Sequence, residues 1–417
     1  MPTVIKGQPT SAEVIDRLKA EGRPVALACS LGKDSLAAWV ALEEAGIDVV
    51  PVYFWSVPRL PLVEENIRQI EGVFGVSIHQ APHPRFFRML NEMTLQPPER
   101  MATIMKAGVQ TPDYDELWPM LKEDLGLPAD TWVCDGVRAC DSIQRRASLT
   151  RNGVMKKTTH KASVIADWTK AEVMDALKRR GIGLPPDYEL FGRSFDGLDE
   201  RFMRPLMECR PDDFGAVRRW FPFVEADVLR HDHYTDDFAA AAKSRSKASS
   251  GDSSYRDRAK ADMKRYRLAV DSGYWACFCF STREARGRFA EAVGAVGEFA
   301  FGDALEAASA KPERVLRGFA PKSQRMDATA PDPYDFVRES DGTVNDDALA
   351  LADALMDAFT ECDGRSSKCV YNSPHHVTVI FPDREKRDSF AAEYGISTYG
   401  YDYFDGDKAA LALGIGA

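Results

Sequence analysis

Long apolar runs and a dense set of cysteines are both absent from this sequence. No stretch approaches the roughly 18 consecutive apolar residues that a membrane-spanning helix requires. The opening residues, MPTVIKGQPTSAEVIDRL, contain no long apolar core, so we expect neither a signal peptide nor a membrane anchor. The 8 cysteines are spread over 417 residues, which is typical of reduced thiols in a cytosol rather than of a disulfide framework. We therefore expect a cytoplasmic protein with no membrane partner.

A positive net charge is also missing. The chain has 54 Lys and Arg against 64 Asp and Glu, a formal charge of −10, so any contact with a nucleic acid would depend on a local basic patch. The tract Lys243–Arg267 is one such patch, with 9 basic and 3 acidic residues. Its Ser-, Gly- and Lys-rich first half predicts a linker, and its second half predicts a charged helix. A solvated linker and a nucleic-acid contact are both compatible with this composition.

What the sequence does contain, up to about residue 228, is an alternation of short apolar runs with helical patterns. The apolar runs, each predicted as a strand, are Val25–Cys29, Val49–Phe54, Val76–Gln80, Thr131–Cys134 and Ala162–Ala166. The segments with amphipathic helical spacing include Ser35–Glu44 (Leu36, Trp39 and Val40 apolar), Leu62–Phe74 and Lys170–Arg180. Strands that alternate with helices predict the α/β fold class, with a parallel sheet covered on both faces.

The C-terminal part contains an internal repeat. YWACFCFSTREARGRFAEAVG, which starts at Tyr274, matches HVTVIFPDREKRDSFAAEYG, which starts at His376. With a constant offset, the first copy's Phe280, Arg283, Glu284, Arg286, Phe289, Ala290 and Gly294 correspond to Phe381, Arg384, Glu385, Arg387, Phe390, Ala391 and Gly395. A Gly-Asp pair follows each copy, at Gly302-Asp303 and Gly406-Asp407. Each copy predicts a strand, a turn and an amphipathic helix. In the core we expect two contacting ring pairs, Phe280 with Phe289 and Phe381 with Phe390.

The chain is long enough for two or three domains, each with its own core. We predict an α/β domain at 1–235, a basic linker and helix at 236–270, and a smaller α+β domain at 271–417. The last domain would consist of the duplicated strand–helix unit, with copies near 274–305 and 376–410. The repeat contains no obvious catalytic constellation, so we interpret it as structural or binding.

The stretch SLGKDS, Ser30 to Ser35, follows a predicted buried strand directly and begins a predicted helix. The helix N-terminus leaves backbone N–H groups without partners, and the helix dipole adds positive potential, so the stretch predicts an anion site. Gly32 permits close approach of a phosphate, and Lys33 supplies charge. Ser30 and Ser35 supply hydroxyls, and Asp34 could cap the helix or hold a metal. It is not a Walker loop, because G-x-x-x-x-G-K-[ST] is absent. A plain strand-to-helix turn is the alternative.

Three later segments place polar residues in comparable positions. DGVRACDSIQRR, residues 135–146, again follows a short apolar run and supplies arginines, which suit bidentate contacts to phosphate or sulfate. A surface salt-bridge cluster is the alternative for this segment. In KASVIADWTKAEV, a strand ends at Asp167-Trp168 and Thr169 caps a helix. ELFGRSFDGLDERF places Arg193, Ser194 and Asp196 in a Gly-rich loop.

In this order, the motifs resemble the phosphoadenosine phosphosulfate reductase family of the PP-loop, or adenine nucleotide alpha hydrolase-like, superfamily. The matching pieces are Ser30–Ser35, Gly136–Arg138, Asp141-Ser142, Arg145-Arg146 and Asp167–Thr169. YFWSVPRLPLVEENIRQIE and HPRFFRML look like the phage and bacterial branch, for which the compartment would be the host cytoplasm. The resemblance covers about half of the chain, from residue 25 to about 228. It implies a Rossmann-like parallel sheet with an adenine nucleotide at the carboxyl ends of its strands.

The resemblance also implies roles for individual residues. The phosphate cradle would be formed by Ser30, Gly32, Lys33, Asp34 and Ser35. A second, anion-binding wall would be formed by Gly136, Arg138, Asp141, Ser142, Arg145 and Arg146. Lys33, Asp34 and Arg138 would take part in the chemistry. The ligand would be ATP or a related adenine nucleotide, and Mg²⁺ would arrive with its phosphates.

The superfamily supports two chemistries at this loop. One branch cleaves ATP between its α and β phosphates, adenylates a substrate oxygen and lets a nucleophile displace AMP. The other attacks the sulfur of an adenosine sulfate nucleotide with a cysteine thiolate, carried in a C-terminal Glu-Cys-Gly-x-His segment. Here Glu361-Cys362-Asp363-Gly364 is the nearest match, but Asp intervenes and no His follows. Cys-Cys and Cys-x-x-Cys are absent from the sequence, so we expect no iron–sulfur cluster.

The remaining cysteines and histidines favour packing over chemistry. A zinc site could in principle draw on Cys277, Cys279, Cys362, Cys369, His375 and His376, but no spacing matches a known finger, and Cys277 and Cys279 should face the core together from one strand. A nucleophilic Cys362 would need basic neighbours, for which Arg365 and Lys368 are the candidates. We interpret Cys140 as packed, and His79, His83 and His160 as structural.

The leading interpretation is a PP-loop enzyme that binds ATP or a related adenine nucleotide and uses α–β phosphate cleavage for adenylation or sulfur transfer. One alternative is a thiol-dependent phosphoadenosine phosphosulfate reductase. Another is a non-catalytic protein that binds a nucleotide or, through residues 243–267, a nucleic acid. The acceptor and the oligomeric state have no signature in the sequence.

Overall fold

The computed structural model describes residues 3–109, 111, 113–239, 271–311, 344–363 and 370–415. The predicted linker and charged helix at Lys243–Arg267 lie outside the described residues, and so do Arg365, Lys368 and Cys369. The described residues form two compact units. The first lies within Met1–Arg88, Val109–Gly197 and Pro331–Ala352, and the second within Met89–Gly108, Leu198–Ala330 and Asp353–Ala417. Residues 198–235, assigned to the first domain from the sequence, thus belong to the second unit.

The helices are α1 (Ser11–Glu21), α2 (Lys33–Glu44), α3 (Pro61–Phe74), α4 (Pro84–Asn91), α5 (Met101–Ala107), α6 (Tyr114–Asp124), α7 (Ile143–Asn152), α8 (Lys170–Arg180), α9 (Asp187–Phe191), α10 (Glu200–Cys209), α11 (Pro211–Trp220), α12 (Glu225–His233), α13 (Arg283–Ala292), α14 (Gly302–Ala308), α15 (Val344–Cys362), α16 (Arg384–Glu393) and α17 (Gly406–Leu413). The strands are β1 (Val25–Ala28), β2 (Val49–Trp55), β3 (His79–Pro82), β4 (Val133–Asp135), β5 (Met155–Lys156), β6 (Lys161–Ser163), β7 (Trp275–Cys279), β8 (Phe299–Phe301), β9 (His376–Ile380) and β10 (Tyr403–Asp405). In the described part of the chain, no helix is both long and apolar enough to cross a membrane.

The first unit is built on a mixed six-stranded sheet in the order β3-β2-β1-β4-β6-β5. Its first five strands are parallel to their neighbours, and the edge strand β5 is antiparallel to β6. β1 lies in the middle, with Ala26 opposite Val50 of β2 and Val133 of β4. The predicted α/β class is therefore confirmed. A sheet of mostly parallel strands is consistent with a Rossmann-like fold.

Helix α2 is buried around its whole circumference. Every residue from Ser35 to Leu42 is buried, and Trp39 stacks on Phe74 of α3 with ring centroids 3.9 Å apart. The sequence predicted an amphipathic helix, and that expectation is wrong because α2 contacts α8 as well as β1, β2 and β4. The start of α2 is consequently held on all sides, which matters for the loop that precedes it.

The predicted elements are present with shifted ends. The helix predicted at Lys170–Arg180 has the observed bounds of α8. The strand predicted at Val76–Gln80 begins later, at His79, because Gly75 ends α3 in the left-handed conformation with φ 68°. Val76 itself is exposed. The two-residue strand β5 was not predicted, since so short a run carries no period-2 pattern.

The second unit contains a four-stranded sheet in the order β10-β7-β9-β8. Each repeated segment folds as strand, helix, strand, helix: β7-α13-β8-α14 and β9-α16-β10-α17. β7 and β9 pair antiparallel, β8 lies parallel to β9, and β10 lies parallel to β7. Each segment's second strand therefore pairs with the other segment's first strand. Both predicted ring pairs are in contact, with centroids 5.1 Å apart for Phe280–Phe289 and 5.7 Å for Phe381–Phe390.

The two Gly-Asp pairs begin α14 and α17, where the segments interlock. A Cβ on Gly302 would overlap the ring of Phe381. A Cβ on Gly406 would lie 2.7 Å from the carbonyl oxygen of Cys279 and 2.9 Å from the ring of Phe280. Each glycine thus contacts the phenylalanine that follows the other segment's first strand. Because each segment's second strand pairs with the other segment's first strand, the helix that follows starts close to that other segment. A glycine at the start of the helix leaves room for this contact.

Candidate functional site

The carboxyl ends of β1 and β4 lie at the point where the strand order of the first sheet reverses. From β1 the chain continues to β2 and β3 on one side, and β4 begins the other side. In open α/β sheets, ligands bind at such a switch point, beyond the carboxyl ends of the strands. A cavity of about 690 Å³ lies there, lined by residues that follow both strands.

The loop after β1 is held in an uncommon backbone conformation. Leu31 has a φ of 57°, although its side chain is buried, so the loop turns sharply before Gly32 begins α2. The hydroxyl of Ser35 donates to the carbonyl oxygen of Gly32 at 2.9 Å, and the hydroxyls of Ser30 and Ser35 lie 3.2 Å apart. No side chain caps α2 at Gly32. The loop therefore presents the start of a helix to the cavity, as the sequence predicts for an anion site.

The loop after β4 approaches the start of α2 very closely. A Cβ on Gly136 would lie 2.5 Å from the backbone carbon and oxygen of Asp34 and 2.7 Å from the backbone nitrogen of Ser35. These are backbone atoms that cannot move aside as a flexible side chain can. Gly136 is thus needed for contact between the two loops, a role distinct from the predicted contact with a ligand.

A chain of alternating charges joins the two loops. Nζ of Lys33 lies 2.6 Å from Oδ2 of Asp34, whose Oδ1 lies 2.9 Å from Nε of Arg138. Nη2 of Arg138 donates to Oδ1 of Asp141 at 2.7 Å, and Oδ2 of Asp141 accepts from Nη1 of Arg145 at 2.7 Å. Three cations and two carboxylates alternate along this chain. These five residues together carry one excess positive charge, which favours an anion beside them.

The structure gives three predicted site residues positions away from the cavity. Arg138 is only 4% exposed and is not among the described residues that line the cavity, because its guanidinium is enclosed with Asp34 and Asp141. Ser142 caps α7 by accepting the N–H of Arg145 at 3.1 Å. Arg146 donates to the carbonyl oxygen of Val4 at 3.2 Å. By contrast, the cavity lining includes Ser30, Gly32, Lys33, Asp34, Ser35, Gly136, Asp141 and Arg145.

The segment 187–196 lies directly against the loop after β1. The backbone N–H of Lys33, at the first position of α2, donates to the hydroxyl of Tyr188 at 2.8 Å. A Cβ on Gly32 would lie 3.1 Å from Oγ of Ser194 and 3.4 Å from Oη of Tyr188. Arg193 and Asp196 of the same segment form an ion pair in the cavity lining. The Gly-rich loop with Arg193, Ser194 and Asp196, singled out from the sequence, thus belongs to the site. The hydroxyl of Tyr188 accepts the N–H of Lys33, which an anion bound at the start of α2 would otherwise accept.

A buried carboxylate holds this segment in place. Asp187 is 1% exposed, and its Oδ2 accepts the backbone N–H of Phe195 at 2.9 Å. Burial raises the pKa of Asp187 to about 6. The protonation state of Asp187 therefore bears on segment 187–196, which packs against the loop after β1.

An aromatic group forms another part of the cavity lining. The ring of Phe54 contacts Tyr114 and Trp118 edge-on, with centroids 5.4 and 5.5 Å away. Nδ1 of His83 accepts the N–H of Arg85 at 3.0 Å, and Nε2 lies 2.8 Å from the Tyr114 hydroxyl. Burial, with the nearby arginines, lowers the pKa of His83 to about 4, so the imidazole is neutral at pH 7. Such a surface suits a planar ring.

Sequence reasoning missed Asp135 as a site residue. It ends β4 in the cavity lining, and Oδ1 accepts the N–H of Val137 at 3.0 Å. Burial raises the pKa of Asp135. Its place at the carboxyl end of a central strand was the available signal. Tyr188, His83 and Tyr114 carry no such signal.

The cysteines that the structure describes show no sign of activation. Burial raises the pKa of Cys29, which lines the cavity, to about 11. Burial also raises the pKa of Cys362, which lies in the second unit. Cys140 is exposed, not packed as predicted, and its thiol lies 3.3 Å from the carbonyl oxygen of Trp168. Cys277 and Cys279 are fully buried on β7, with their sulfurs 3.9 Å apart.

The chain matches no protein-family model and no curated protein.

Replacing Gly136 with Ala should separate the two loops. The added methyl group would meet backbone atoms of Asp34 and Ser35, so we expect a loss of about 1–3 kcal/mol in the free energy of unfolding. Gly72→Ala is the matched control: Gly72 lies in α3 with no atom near its Cβ position, and Ala should stabilise by about 0.5–1 kcal/mol. Urea unfolding measures both, and equal stabilities would contradict the close approach.

Asp187→Asn should change how stability depends on pH. The carboxyl's pKa is about 6 when folded and about 3.9 when unfolded, so the folded chain binds the extra proton between these values. Its stabilising contribution is complete below about pH 4 and is lost as the pH rises to about 6. Relative to the Asp187→Asn variant, we expect wild type to lose about 3 kcal/mol across this window. Parallel curves from urea unfolding at pH 4–7 would refute the assignment.

Proposed function

We propose that this chain is a PP-loop enzyme, similar to the phosphoadenosine phosphosulfate reductase family, that binds ATP or a related adenine nucleotide. The observation that carries the proposal is the cavity at the β1–β4 switch point. Its lining includes residues of both motifs predicted from the sequence, Ser30–Ser35 after β1 and residues 135–146 after β4. The aromatic group of Phe54, Tyr114 and Trp118 supplies a surface for a base, and the start of α2 supplies one for phosphates. We also propose that the interlocked segments of the second unit are a duplication.

The residues present fit a phosphate group. Gly32 brings no side chain to the start of α2, and the hydroxyl that accepts the N–H of Lys33 there, from Tyr188, is one that a phosphate oxygen could replace. Lys33 reaches the cavity but is neutralised by Asp34, and Nη1 of Arg138 is buried without a hydrogen-bond partner in the described part of the chain. An incoming phosphate would compete with Asp34 for the ammonium group of Lys33. The ion pairs that connect Asp34 to the other charged residues would then rearrange.

In the proposed reaction, an acceptor oxygen attacks the α-phosphorus of ATP. The bond from that phosphorus to the α–β bridging oxygen breaks, and its electron pair leaves with pyrophosphate. Lys33 and the amides of α2 stabilise the leaving charge, while Arg145 orients the nucleotide. Asp135, whose pKa is raised by burial, is placed to accept the acceptor's proton. Mg²⁺ would arrive with the phosphates of the nucleotide and screen their charge.

A thiol-dependent reductase is the second candidate. Cys29 is the one thiol among the described cavity-lining residues, and its pKa of about 11 leaves it protonated at neutral pH. Sulfite release from phosphoadenosine phosphosulfate with a thioredoxin, lost in Cys29→Ser, would support this candidate. A non-catalytic binding protein would show nucleotide binding without turnover.

Lys33→Ala should slow pyrophosphate release from ATP. We expect a rate loss on the order of 100-fold, because one preorganised charge at a developing anion is removed. Lys170→Ala, an exposed lysine in the same unit, is the matched control and should leave the rate unchanged. The assay uses ATP, Mg²⁺ and a panel of acceptors. Unaltered release in Lys33→Ala would remove the loop from the chemistry.

Tyr188→Phe should strengthen the binding of pyrophosphate and ATP. The variant frees the N–H of Lys33, so no hydrogen bond need be broken when the ligand enters. We expect Kd to fall about two- to tenfold, the equivalent of one neutral hydrogen bond. Isothermal titration measures Kd, with Tyr399→Phe in the second unit as control. Weaker binding would instead make the hydroxyl a ligand contact.

A further inference from the structure

An uninterrupted basic segment borders the cavity of this acidic protein. From residue 142 to residue 166 the sequence contains six Lys and Arg and no Asp or Glu, whereas the whole chain carries −10. The segment folds as α7 followed by the β5–β6 hairpin. Both ends reach the cavity, since Arg145 at the start of α7 and Lys161 at the start of β6 are in its lining.

Helix α7 is almost entirely exposed. Leu149 is the one buried residue among its ten, and Ile143 is 43% exposed. A surface helix in a globular unit normally buries an apolar stripe, which α7 lacks. Its charged side chains are all arginines, so its outer face offers positive charge.

Much of this positive charge is not neutralised. In the part of the chain that the structure describes, no ion pair joins Arg146, Arg151, Lys156 or Lys157 to a carboxylate. Some exposed arginines elsewhere in the unit are paired, as Arg179 is with Glu44 and Arg180 with Glu43. Lysines on an edge strand such as β5 also discourage strand pairing, but that does not account for Arg151 on a helix. We define the α7 basic surface as Arg151, Lys156 and Lys157, which lie outside the cavity lining.

We propose that the α7 basic surface docks the phosphodiester backbone of a single-stranded nucleic acid and thereby presents the acceptor to the cavity. Repeated phosphates match several cations on one segment of the chain, and the same segment contributes Arg145 and Lys161 to the cavity lining. The strand is single because a group that reacts inside the cavity must leave a base stack to enter it. The acceptor role rests on the proposed function; the docking does not.

The test measures fluorescence anisotropy of labelled 20-nucleotide single-stranded RNA and DNA on the full chain, without ATP, over a range of salt. We expect the triple variant Arg151→Ala, Lys156→Ala, Lys157→Ala to weaken binding on the order of tenfold at low salt. The slope of log affinity against log salt should fall by about 2, at about 0.7 for each lost contact. The matched control removes three exposed basic residues elsewhere in the unit, Arg68, Lys170 and Lys178, and should bind as wild type.

Three outcomes would overturn the proposal: no binding by wild type, equal losses in the triple variant and the control, or retention by anionic vesicles in place of nucleic acid. Tighter binding of RNA than of DNA, or the reverse, would support the proposal and identify which nucleic acid docks. Pyrophosphate release is measured separately, with and without nucleic acid. If the proposed function fails, ATP turnover is absent while docking persists. If the inference fails, docking is absent while turnover remains.

Discussion

The close backbone approach at Gly136 is the constraint on which the rest of the candidate site depends. With the loop after β4 against the start of α2, Arg138 lies between Asp34 and Asp141 and the two halves of the cavity share one charge chain. A side chain at position 136 would push these loops apart. The buried α2, held by α8 and three strands, leaves little room for compensation.

Burial of Arg138 gives the charge chain a structural role. A guanidinium that is 4% exposed is costly unless its charge is matched, and here two carboxylates match it. Those carboxylates in turn hold the outer cations, Lys33 and Arg145, at the cavity. Arg138, which the sequence predicted as a nucleotide contact, therefore holds Lys33 and Arg145 in place through the two carboxylates. The same logic explains why Tyr188 fits at α2: a neutral hydroxyl satisfies an amide without disturbing the charges.

The four-stranded sheet of the second unit packs on an apolar core. Phe278, between Phe289 and Phe404 with centroids 5.0 and 5.2 Å away, lies in a core to which both repeated segments contribute. Because each segment's second strand pairs with the other's first, neither segment completes a sheet alone. The contact between the two segments explains why both have a glycine, Gly302 or Gly406, at the start of a helix.

The sequence by itself determined what depends on near neighbours along the chain. The strand-to-helix turn at Ser30–Ser35, the bounds of α8 and the ring pairs of the repeat all follow from patterns spanning ten or so residues. Only the tertiary structure decided which side chains meet in the cavity. Tyr188 contacts Lys33 across 155 positions, and His83 contacts Tyr114 across 31, so no local pattern encodes either pair. The burial of Arg138 and the burial that raises the pKa of Asp135 likewise depend on packing between elements far apart in the chain.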